Sequence, residues 1–71
     1  MVTYKPLWKL LIDREMSQHD LMKLAGISPN TMAKMRRDEE VSLTVLNKIC
    51  KALTVDYGDI ITYVQKAEDE E

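Results

Sequence analysis

The stretch "AGISPNTMAKMRR", residues Ala25 to Arg37, decides how the chain folds. Gly26 has no Cβ to clash at positive φ, so it suits the left-handed residue that closes a helix. Ser28 suits the N-cap of the next helix, and Pro29 behind it stands where a missing N–H costs nothing and a fixed φ helps. Ile27, just before the cap, pairs with Met32 on the fourth residue of the helix as a hydrophobic staple. The stretch reads as the end of one helix, the three-residue turn Gly26-Ile27-Ser28, and a helix from Pro29 to Arg37.

The same punctuation recurs on both sides of it. Met16-Ser17 with Leu21, Val41-Ser42 with Leu46, and Val55-Asp56 with Ile60 repeat the staple and cap. The first and last of these carry an acid three residues after the cap, Asp20 and Asp59, which completes a capping box and puts negative charge at the positive end of the helix dipole. A further helix is predicted from about Pro6 to Glu15, with Leu7, Leu10, Leu11 and Arg14 at helical spacing beside Trp8 and Ile12. Five short helices result: 6–15, 18–25, 29–37, 43 to about 53, and a brief one after Asp56. Leu43, Leu46, Cys50 and Leu53 mark the apolar face of the fourth, and Met16, Met22, Met32 and Met35 are assigned to the core.

The two ends read differently. Val2-Thr3-Tyr4 and Ile61-Thr62-Tyr63-Val64 are β-branched and aromatic, so each suits a short strand, and the two can pair. The other reading continues the fifth helix through Val64. An isolated two-stranded ribbon is marginal in water, so a ribbon here must pack on the helices or be shared between subunits. The expected fold class is all-α, with a small two-strand ribbon as its one possible addition.

Composition narrows the function. With 71 residues, 45% hydrophobic and 31% charged, the chain is expected to form one globular domain. Cys50 is the only cysteine, which excludes an internal disulfide and favours an intracellular home. No apolar run approaches the roughly 20 residues of a membrane helix, and no leader pattern is present, so a soluble cytoplasmic protein is expected. His19 stands alone, far from Cys50, and no nucleophile is paired with a base, so neither metal, cofactor nor catalysis is expected. The formal net charge is -2, but residues 1 to 65 carry nine Lys and Arg against eight Asp and Glu. The acidity therefore lies in the last six residues, and the chain divides into a domain over 1–66 and an acidic, flexible tail over 67–71.

Two helices joined across a glycine-containing three-residue turn have the spacing of a helix-turn-helix, whose second helix can lie in a DNA major groove. With Met32 and Met35 turned inward, the third helix shows Asn30, Ala33, Lys34 and Arg37 on its opposite face, and Pro29 and Thr31 at its N-terminal end. Asparagine can pair with adenine and lysine with guanine, while proline or a threonine methyl can touch a thymine methyl. Arg36 and Arg37 are placed to reach phosphates, which position a protein without reading sequence.

These residues resemble the lambda-repressor and Cro type of helix-turn-helix family over roughly residues 5 to 60. The resemblance runs through "LLIDREMSQHDLMKLAGISPNTMAKMRR", then "SLTVLNKICKAL", then "VDYGDI". It implies base contacts from Gln18, Pro29, Asn30, Thr31 and Lys34, with Gln18 touching a base or bracing a side chain of the recognition helix. It implies phosphate contacts from Ser28, Arg37 and Ser42, to which the position of Arg36 at the helix end adds a fourth. Pro29 departs from the polar side chain usual in relatives, and Asp38-Glu39-Glu40 departs from the glycine usual after the recognition helix. Modest, steeply salt-dependent affinity is the expectation from those departures.

The expected function is sequence-specific binding of double-stranded DNA as a transcriptional regulator, a repressor by preference. A homodimer on an inverted repeat is expected, joined through Tyr57, Ile60, Ile61 and Tyr63 so that the second and third helices stay free. The alternative is a helical protein-interaction module or antitoxin-like partner, which the near-neutral body and acidic tail would suit.

Overall fold

A computed structural model describes residues 1–65, so the expected acidic tail lies outside the described residues. The order of elements is β1 (Val2–Thr3), α1 (Lys5–Asp13), α2 (Gln18–Ala25), α3 (Pro29–Arg36), α4 (Leu43–Leu53), a 3-10 turn (Tyr57–Asp59) and β2 (Thr62–Tyr63). Among the described residues there are thus four α-helices and not five. No helix among them is long and apolar enough to cross a membrane.

All four expected caps form. Ser17 Oγ accepts from Asp20 N–H at 3.0 Å, Ser28 Oγ from Thr31 N–H at 3.1 Å, and Ser42 Oγ from Val45 N–H at 3.3 Å. Asp56 and Asp59 complete a capping box, yet they open only a single 3-10 turn. An α-helix there would have to run into Ile60-Ile61-Thr62, whose side chains favour extended backbone. Those residues turn instead into a strand: β2 pairs antiparallel with β1, with Val2 opposite Tyr63 and Thr3 opposite Thr62. The ribbon forms, and the continuation of a fifth helix through Val64 does not.

Leu7, Leu11, Leu21, Ile27, Met32, Met35, Leu46, Ile49, Leu53 and Ile60 form one core with Tyr4. The staples close on it, since Leu21, Met32, Leu46 and Ile60 are all buried. The face of α4 differs from expectation: Leu46, Ile49 and Leu53 are buried, Cys50 is half-buried, and Leu43 is 65% exposed. Leu43 lies in the first turn of α4, where Val41 and Val45 pack on the edge of the core instead. Met16 and Met22 lie on the rim of the core rather than inside it. Arg14 follows the end of α1 and donates from Nη1 to the Leu53 carbonyl at 2.7 Å, so it ties α1 to the end of α4.

Gly26 takes the left-handed conformation at φ 71°, as a closing glycine should. Three other helices close on residues that carry a Cβ, with Glu15, Asp38 and Thr54 all near φ 58°. At Asp38 that conformation has a function in the fold. It turns the carboxylate back toward β1, where Oδ1 accepts from Thr3 Oγ1 and from Tyr4 N–H, each at 3.2 Å. Tyr4, itself buried, donates from its hydroxyl to the Glu39 carbonyl at 2.8 Å.

Candidate nucleic-acid interface

The third helix is anchored along one side and open along the other. Met32 and Met35 are fully buried, which sets the rotation of α3 and leaves Pro29, Asn30, Lys34, Arg36 and Arg37 exposed. Its start is fixed by the Ser28 cap and Pro29 at the first helical position. Lys34 and Arg36 stand in its last turn, where positive charge is favoured by the helix dipole. Arg37 caps the helix rather than continuing it, one residue short of the expected end.

Two of the expected base-contacting groups are engaged within the protein. Thr31 is half-buried, and its hydroxyl oxygen accepts from Ser28 Oγ at 3.0 Å, so the side chain belongs partly to the cap. Gln18 Oε1 accepts from Arg36 Nε at 2.6 Å, so the first residue of α2 is joined to the last residue of α3. Of the two roles the resemblance implied for Gln18, touching a base or bracing a side chain of the third helix, this contact is compatible with the second. Binding through Nε leaves the two terminal nitrogens of Arg36 free to donate elsewhere. Asn30 and Lys34 remain exposed on the helix surface.

The acidic connection after α3 is largely engaged by its neighbours. Asp38 faces inward onto Thr3 and Tyr4. Glu39 pairs with Arg37 at 2.8 Å, an exposed contact whose hydrogen bond from the guanidinium holds the Glu39 carboxyl below its usual range. In sequence these acids read as one run of repelling charge. The destination of Asp38 depends on the β1 segment, more than thirty positions away in sequence, whereas Glu39 finds its partner two residues back.

The remaining site residues divide. Ser28 and Ser42 are exposed N-caps. Ile60, expected on a dimer surface, is fully buried in the protomer's own core, because it is the staple partner of Val55. Ile61 is half-buried and packs on the same core. Tyr57 and Tyr63 are exposed, and the Tyr57 hydroxyl donates to the Asn47 side-chain oxygen. Cys50 is half-buried and its thiol is pushed up by burial, the direction of an unreactive cysteine.

A polar helix held over a helical core by a capped glycine turn defines a helix-turn-helix module. The chain belongs to the Cro/C1-type HTH DNA-binding domain family, whose pattern matches residues 6–66. Among solved structures it is similar to the crystal structure of transcriptional regulator VanUg, Form II. The two are 49% identical, the match covers 92% of this chain and 87% of that one, and the TM-score is 0.89. No curated protein matches it.

Proposed function

We propose that this protein is a transcriptional repressor that binds an inverted-repeat DNA site as a homodimer, with α3 in the major groove. The observation that carries this reading is the division of α3. Met32 and Met35 are fully buried, while Asn30 and Lys34 stand exposed between a capped N-terminus and a basic C-terminal turn. Asn30 and Lys34 address base edges, with Pro29 and the Thr31 methyl beside them. Arg37, Ser28, Ser42 and the terminal nitrogens of Arg36 grip phosphates. Gln18 acts through Arg36, so it is a positioning residue and not a reader of bases. The similarity to a protein described as a transcriptional regulator supports the regulatory role.

Selection of bound sequences from a random DNA pool, at low and moderate salt, tests the reading. Recovery of an inverted repeat is expected, with half-sites about one helical turn apart. Against the recovered site, Asn30→Ala and Lys34→Ala should each cost about 1 to 3 kcal/mol with folding intact. Arg37→Ala should weaken all sequences alike and reduce the salt slope by roughly one. Unchanged affinity in Asn30→Ala and Lys34→Ala would remove α3 from the interface.

A further inference from the structure

We infer that Thr3 and Tyr4 are positioning residues for DNA binding: with Asp38 they hold the connection after α3, so that Arg37 and Ser42 meet the phosphate backbone at one fixed separation. This rests on the DNA reading above and adds to it two residues that touch no DNA.

The connection is Asp38-Glu39-Glu40-Val41, and a group assigned to phosphate stands at each end of it. Arg37 caps α3, and Ser42 is the N-cap of α4. Five residue steps reach up to about 18 Å when extended, so the chain alone leaves the distance between the two groups open. Bonds to the N-terminal segment remove that freedom. Asp38 Oδ1 accepts from Thr3 Oγ1 and from Tyr4 N–H, each at 3.2 Å. One residue on, the Glu39 carbonyl accepts from the Tyr4 hydroxyl at 2.8 Å, while Glu39 N–H donates to the Lys34 carbonyl at 3.0 Å. The peptide groups on either side of Glu39 are thus held between α3 and Tyr4. Tyr4 is a firm anchor, since only 1% of it is exposed and it belongs to the core. Val41 packs against the same core just before the Ser42 cap.

The residue at the turn shows that the tie is more than a way to end a helix. A glycine would take φ 58° without strain, but it would bring no carboxylate. The chain keeps a Cβ there, and the carboxylate it carries is taken up by Thr3 and Tyr4. Phosphates on a duplex have a set spacing, and groups already held at a matching distance bind without first losing the freedom to be elsewhere. Neither Thr3 nor Tyr4 reads a base, so their effect falls on affinity and leaves sequence preference alone.

Tyr4→Phe and Thr3→Val each delete one hydroxyl, keep the shape of the side chain and leave the net charge unchanged. Binding is measured over a salt series to the inverted repeat recovered from the pool and to a scrambled duplex. Tyr4→Phe is expected to weaken both about five- to tenfold and to leave their ratio unchanged. The salt slope should fall by up to about one, because the Arg37 contact is then made only part of the time. Thr3→Val leaves Asp38 one of its two donors, so the loss should be smaller, about two- to threefold. By reciprocity DNA must stabilise the ties that favour it, so in the unaltered chain the Tyr4 amide should exchange more slowly when DNA is bound. That measurement needs no substitution, so it decides the question even if Tyr4→Phe folds poorly. Folded variants that bind both duplexes like the unaltered chain overturn the inference, as does a Tyr4 amide indifferent to DNA. A loss confined to the recovered site overturns it in favour of base reading. A loss that follows the fall in melting temperature with an unchanged salt slope overturns it in favour of stability alone. If the unaltered chain binds neither duplex, the DNA reading itself fails and this inference with it, before any variant is made.

Discussion

From Ser17 to Arg37 nearly every turn of the chain is decided by residues a few positions apart: Ser17 with Asp20, Ser28 with Thr31, Ile27 with Met32. The terminal ribbon is the opposite case, since Met1 meets Val64 across 63 positions of sequence and Asp38 meets Tyr4 across 34. Local closure fixes few residues for each bond made, while joining distant segments requires the intervening chain to be ordered first. The helix-turn-helix is therefore expected to persist where the ribbon opens, and the ribbon depends on a few specific ties. Asp38 is the most consequential of them, because one carboxylate oxygen holds both Thr3 and Tyr4 at the exit of α3.

Replacing it breaks the comparison most sharply. Asp38→Ala removes a charged acceptor from two donors and also leaves a β-carbon residue at positive φ without the side-chain contacts that hold it there. Together these should cost about 2 to 4 kcal/mol of stability, read from urea unfolding. Asp38→Asn keeps an acceptor oxygen and tolerates the left-handed conformation, so it should lose less than half as much. Equal losses in the two variants would show that the tie itself contributes nothing. Amide exchange should further show β1 opening in Asp38→Ala while the bonds of α2 and α3 persist.

The same contrast explains what could be read from the sequence. Caps, staples and the closing glycine are statements about neighbours, so Ser17, Ser28, Ser42, Asp56 and Gly26 mark four helix starts and one end. The exposed polar face of α3 goes with the burial of Met32 and Met35. The capping box at Asp56 suggests a fifth helix, but such a box marks where a turn begins and says nothing of how far it runs. Ile60 carries two signs that disagree: the Val55-Asp56 staple turns it inward, the apolar pair it makes with Ile61 suggests a surface, and its burial follows the staple. The joins of Gln18 to Arg36 and Asp38 to Tyr4 depend on tertiary placement, and no spacing rule in the sequence anticipates them.

A smaller effect separates the two regions at their junction. Arg37 caps α3 and Glu39 lies in the connection toward the ribbon, and their exposed ion pair engages the guanidinium that the proposed function assigns to phosphate. An exposed pair contributes little to folding, so Glu39→Gln should leave stability unchanged. Removing the charge should tighten DNA binding by about two- to five-fold at low salt, with the gain shrinking as salt rises. Weaker binding in Glu39→Gln would mean that Glu39 orients Arg37 for its phosphate rather than withholding it.

The least disruptive probe is pH, because the two regions should fail at opposite ends of the scale. In the helix-turn-helix, the Ser17 backbone and hydroxyl hold the Asp20 carboxyl below its ordinary range. A carboxylate lowered on folding contributes stability that is present above its unfolded value of about 3.9 and is lost as pH falls through the folded value. Thermal stability should therefore decline below about pH 4, and Asp20→Asn should flatten that part of the profile. Beside the ribbon, burial raises the Tyr4 phenol above its ordinary range, and its hydroxyl donates to the Glu39 carbonyl. The folded chain then holds that proton more tightly than the unfolded one, so its contribution is complete below about pH 10 and is lost as pH rises through the folded value. Tyr4→Phe should remove this alkaline loss while leaving the acid side untouched. Thermal melts of the three proteins from pH 2 to 11 would separate the regions, and an Asp20→Asn profile parallel to that of the unaltered chain would show that the cap's charge contributes nothing.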